Sequence, residues 1–104
     1  MSENRDSCDM RPVANFDAVF DGEPGNFCIT EATLPSGEIE RRMFFRLPAD
    51  TGGGAILIRP APAHLKDEPS WEWDGNREKP TLTPSVWCKG RWHGWFRAGR
   101  MESC

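Results

Sequence analysis

The chain of 104 residues contains no apolar run of the roughly 18 residues that a membrane-spanning helix needs, so no membrane span is expected. Met1–Asp6 lack the basic-then-apolar pattern of a signal peptide, which makes the cytoplasm the expected location. Ala and Leu are sparse while Gly (10) and Pro (9) are frequent. That balance excludes an architecture of long helices and favours short strands joined by turns. Cys8, Cys28, Cys88 and Cys104 form no C-x-x-C pair, and without a secretion signal they are expected to be reduced. No repeat, heptad or low-complexity tract is present. Thr51-Gly52-Gly53-Gly54 is glycine-rich, but no Lys-Ser or Lys-Thr follows, so it reads as a hairpin loop rather than a phosphate cradle. No Ser/His/Asp or Cys/His set emerges from the spacing, and Ser85, directly after Pro84, is not on a nucleophile elbow. Glu72, Asp74 and Glu78 flank a turn and read as solvated acids.

What the chain does have is tryptophan. All five lie between Trp71 and Trp95. Such a group is either the core of a small domain or a stacking and docking surface. Charge is also uneven. Residues 1–40 carry nine acids and two bases, and residues 41–104 carry seven acids and eleven bases, so the acidic part is expected to lie against the basic one.

Residues 1–12 are polar and read as a flexible N-terminus; residues 13–104 read as a single small β domain. Asn15–Phe20 fits a strand or one helical turn. Phe27–Thr33, Glu38–Leu47 and Ala55–Arg59 read as strands, the last two as a hairpin. Ser70–Trp73 and Thr81–Cys88 follow, Pro80 and Pro84 marking an edge or bulge. Turns at Lys89-Gly90 and Ala98-Gly99 bound Arg91–Arg97 in a meander of short antiparallel strands. The expected fold is mainly β, a small antiparallel sheet or partly closed β-sandwich with at most one or two short helices. Its core takes in Phe27, Ile29, Phe45, Leu47, Ile56, Ile58, Leu82, Val86, Trp92 and Phe96.

Strand alternation sorts the segment 91–97. Trp92, Gly94 and Phe96 face the core, and Arg91, His93, Trp95 and Arg97 face out. These four are the candidate binding residues, able to stack on a ring or base and hold an anion. Solvated arginines beside a Trp that covers a neighbouring strand would give the same pattern. His93 is also the candidate ligand or base. With Cys88 and Cys104 it makes a candidate zinc set, Cys28 being a fourth ligand, although the spacings of five and eleven match no standard zinc module. Alternation puts Cys88 on the core face, and no other cofactor is expected.

The block Trp71-x-Trp73-Asp74-Gly75-Asn76, Pro80-Thr81-Leu82-Thr83-Pro84-Ser85-Val86, Trp92-His93-Gly94-Trp95-Phe96, Gly99 and Ser103-Cys104 resembles a domain family of unknown function found in tailed phages, prophages and bacteria. Its members are sometimes mislabelled as ammonia monooxygenase. The resemblance covers about residues 41–104. Many relatives carry a Cys-rich segment before the tryptophans and a Cys-His-Ser step where this chain has Trp92-His93-Gly94. Leu47–Gly54 holds no cysteine, so the resemblance carries over only His93 and Cys104 as metal ligands. It implies a phage-borne accessory protein in the host cytoplasm, acting by binding a host or host-defence protein. The alternatives are a nucleotide or single-stranded nucleic-acid binding module and a metal-dependent enzyme centred on His93.

Overall fold

The computed structural model describes residues 7–104; residues 1–6, half of the segment read as a flexible N-terminus, lie outside the described residues. Nine strands and one short α-helix follow in chain order. They are β1 (Cys8–Asp9), β2 (Arg11–Pro12), α1 (Phe16–Phe20), β3 (Asn26–Thr33), β4 (Ile39–Arg46), β5 (Gly53–Ile58), β6 (Ser70–Trp73), β7 (Leu82–Cys88), β8 (Trp92–Arg97) and β9 (Arg100–Ser103). The mainly β class is as expected. No helix among the described residues is long and apolar enough to cross a membrane.

The strands form one sheet in the order β1-β9-β8-β7-β6-β5-β4-β3-β2. β4 and β5 pair as the expected hairpin, and β6 to β9 as the expected meander. Two pairings are parallel instead, β2 with β3 and β5 with β6. Residues 59–69 cross over and bring β6 in beside β5 in the same direction, a connection that local turn signals do not reveal.

β1 and β2 stand at opposite ends of the sheet order, yet Met10 alone separates them in sequence. Residues 8–12 therefore bridge both edges and nearly close the sheet into a barrel. Met10 N–H donates to the Gly99 carbonyl at 2.8 Å, and Arg11 N–H to that of Gly25 at 2.9 Å. Closure occupies edges that would otherwise present unpaired backbone groups to other chains.

The interior is filled by one cluster that includes Met10, Phe27, Met43, Phe45, Leu47, Ile56, Ile58, Leu82, Val86, Trp92, Phe96 and Met101. Phe45 and Phe96 meet edge-to-face at 5.0 Å between ring centroids. Every expected core residue is buried except Ile29, which is partly buried against the cluster. The α1 helix packs outside. Asn15 caps it by accepting the Ala18 N–H at 2.9 Å, and Phe16 and Phe20 stack edge-on against Phe44. Acids of the first 40 residues do pair with bases of the remainder: Glu31 with Arg41 and Arg77, Glu40 with Arg42, and Asp9 with Arg100.

Candidate active site

The alternation expected of β8 is present. Trp92, Gly94 and Phe96 are buried, His93 and Arg97 are exposed, and Trp95 is half-buried. Arg97 lies over the Trp95 ring with its guanidinium carbon 4.6 Å from the centroid. Arg91 sits in the turn before β8, where it donates to the Gly53 carbonyl at 3.1 Å. The outer face thus gathers His93, Trp95 and Arg97, while Arg91 is tied to the start of β5.

The neighbouring strand supplies the residue that spacing did not bring out. Leu82 pairs with Phe96 and Val86 with Gly94, so Thr83, Pro84 and Ser85 together stand opposite Trp95 alone. This is an enlarged β-bulge, and the proline at its centre has no N–H to give the ladder. Bulges re-aim side chains, and here Ser85 comes within reach of His93. Its Oγ is 3.1 Å from His93 Nε2. The bulge is held from the next strand by Trp71, whose indole N–H donates to the Ser85 carbonyl at 3.1 Å. β8 is held in turn by the residue that follows β9, the Cys104 N–H donating to the His93 carbonyl at 3.0 Å. Trp87 pairs with His93 across the strands, its ring centroid 6.3 Å from the imidazole. Trp87 is 67% exposed.

The expectation that spacing yields no Ser/His/Asp or Cys/His set passed over this Ser85–His93 pair, which the bulge brings together. The signal was present in the residues. A hairpin turning at Lys89-Gly90 that sets Trp87 against His93 also puts Ser85 one pair further along the same outer face. What alternation could not supply was the extra length of the bulge, which decides how Ser85 is aimed.

The candidate zinc ligands are not brought together. Cys88 packs against the core on the opposite face from His93, and burial pushes its thiol pKa up. Cys104 is exposed at the end of β9. Among the described residues, no group of three or more His, Cys, Asp or Glu is placed to hold a metal. Cys28 is buried, and its thiol pKa is likewise raised by burial.

In chemical terms a hydroxyl within hydrogen-bond reach of an imidazole is the core of a nucleophile–base pair. With Nδ1 protonated, Nε2 is free to accept the Ser85 proton. Ser85 and His93 form a Ser–His dyad on the outer face, and among the described residues no carboxylate hydrogen-bonds to His93. Beside it lies an open groove of about 840 Å3 whose lining includes Arg59, Ser70, Glu72, Trp73, Thr81 and Thr83. Thr83 belongs to the same bulge as Ser85, two residues along the strand, so the groove reaches the bulge that carries the Ser85 hydroxyl.

A nearly closed β-barrel carrying a surface Ser–His dyad defines the chain structurally. Residues 32–104 match the BubE family, described as the bacterial ubiquitination-like system serine protease, and the chain belongs to that family. No curated protein and no solved structure matches it. The matched span contains the tryptophan and Pro-Thr-x-x-Pro-Ser blocks on which the resemblance to a phage-associated family of unknown function rested. It assigns them to a bacterial family and gives no support to the ammonia monooxygenase label.

Proposed function

We propose that the chain is a serine hydrolase that cleaves acyl bonds of a polypeptide substrate, with Ser85 as nucleophile and His93 as general base, within a bacterial ubiquitination-like system. The observation that carries this is the 3.1 Å contact between Ser85 Oγ and His93 Nε2. The family description, a serine protease, agrees with it. His93 takes the hydroxyl proton as Oγ bonds to the scissile carbonyl carbon, leaving a tetrahedral oxyanion. Collapse breaks the bond to the leaving amine, which receives the proton from His93, and an acyl-Ser85 ester remains. Water then attacks the ester, gives its proton to His93, and restores the hydroxyl as the acid departs.

A second reading, binding without cleavage, is favoured by the Trp95–Arg97 stack on the same face. It takes in the phage-borne inhibitor of a host or host-defence protein expected from the resemblance. We prefer hydrolysis because a docking face needs no hydroxyl set against an imidazole; the partner captured by that face is then the substrate. Four free thiols fit a cytoplasmic setting. The test uses a fluorophosphonate probe and a fluorogenic peptide. Wild type is labelled at Ser85 and turns over, while S85A and H93A each lose about a thousandfold or more in rate, at the scale seen when a nucleophile or its base is removed. Turnover that survives in S85A refutes the assignment.

A further inference from the structure

The dyad lies on an open barrel wall, and two features flank it. On one side is the groove that starts at Thr83. On the other is Trp87, the most exposed of the large apolar side chains among the described residues. An outward position on a strand is ordinarily taken by a polar residue, because an indole in water forgoes the free energy of burial. Trp71 and Trp73, by contrast, pack against the core, Trp92 is buried, and Trp95 is covered by Arg97. Trp87 alone of the five leaves most of its ring uncovered, and it does so against the reacting imidazole.

We infer that Trp87 is the specificity-determining residue of this site, forming a platform on which an apolar or aromatic side chain flanking the scissile bond packs; the inference rests on the reading of Ser85 and His93 as the reacting pair. Ser85 and Trp87 are alternate residues of β7 on the same face, and alternate residues of a strand lie roughly 7 Å apart. That is also the step between alternate side chains of an extended peptide. A substrate carbonyl at Ser85 Oγ therefore places a nearby side chain over the indole. The remainder of the chain runs the other way, over Thr83 into a groove edged by the hydroxyls of Ser70, Thr81 and Thr83, which suit hydrogen bonding to peptide backbone. The substrate class is an extended polypeptide segment carrying an apolar residue at the cleavage point. A folded surface would not lie along the wall.

The experiment compares fluorogenic peptides that differ only in one residue beside the scissile bond, Gly, Leu, Phe or Asp, in two series varied on the acyl side and on the leaving side. In one of the two series wild type favours Phe over Gly by about 10- to 100-fold in kcat/KM, the discrimination that an apolar subsite delivers. In W87A that ratio falls close to one, chiefly through KM, and W87F restores most of it. Trp87 is exposed, so its replacement is tolerated by the core, and each variant's ratio is internal to that variant. Turnover by W87A with an unaltered Phe-to-Gly ratio overturns the inference alone. Failure of wild type to cleave any peptide, with Ser85 unlabelled by a fluorophosphonate, overturns the hydrolase assignment and the inference together.

Discussion

Replacing Gly94 with alanine tests the barrel at the point where it supports the dyad. Gly94 lies on β8 between His93 and Trp95 and faces inward. A Cβ there would stand less than 3.0 Å from both the Glu102 carbonyl oxygen and the Trp92 ring. Neither can yield easily. The carbonyl belongs to the paired strand β9, and Trp92 is packed in the core at 5.9 Å from Phe96. Overpacking of this kind costs about 1–3 kcal/mol, and a backbone contact places it at the upper end. Alanine recovers roughly 0.5–1 kcal/mol through the lower entropy of its unfolded chain. The expected net loss is about 2 kcal/mol, or on the order of 10 °C in Tm for a domain of this size. Urea denaturation followed by tryptophan fluorescence gives the first number, and a thermal scan gives the second. Because β8 must move to relieve the clash, peptide turnover should fall as well. A Gly94→Ala protein within 0.5 kcal/mol of wild type would refute the close approach of β8 to β9 and the tight seating of Trp92.

Two further outcomes follow from the charges and thiols. Arg42 donates to both carboxylate oxygens of Glu68, at 2.7 and 3.2 Å, and holds the Glu68 pKa below the ordinary carboxylate value. A carboxyl with a depressed folded pKa contributes stability above its unfolded pKa of about 4.3 and loses it as pH falls through the folded value. Stability should therefore decline on acidification below about pH 5, and E68Q should flatten that decline by less than about 1 kcal/mol, since the pair is partly exposed. An unchanged acid limb in E68Q removes this pair as a cause. With an aromatic disulfide reagent at neutral pH, Cys104, which is exposed, should react first. Cys8, Cys28 and Cys88 should follow more slowly, because burial raises their thiol pKa values. Mass mapping that finds Cys28 modified as fast as Cys104 would contradict their placement.

The strand-by-strand plan and the inward set on β8 could be read from residue order, because alternation and turn chemistry are local. Trp92 and Phe96 in, His93 and Arg97 out, needed nothing but a period of two. The same rule put Cys88 on the core side. It also set Ser85 and His93 on one face of a hairpin, and Pro84 marked an edge or bulge without saying how many residues the bulge would hold. Three residues against one is a property of the paired strands, and it alone determines that Ser85 Oγ meets the imidazole. Closure likewise depends on partners distant in sequence: residues 8–12, polar enough to read as loose, are held between β9 and β3. Sequence by itself thus determined which residues alternate and where the chain turns. Tertiary structure decided which strands became neighbours, how the bulge aimed its serine and which indole stayed in water, since each is set by packing across the barrel rather than along the chain.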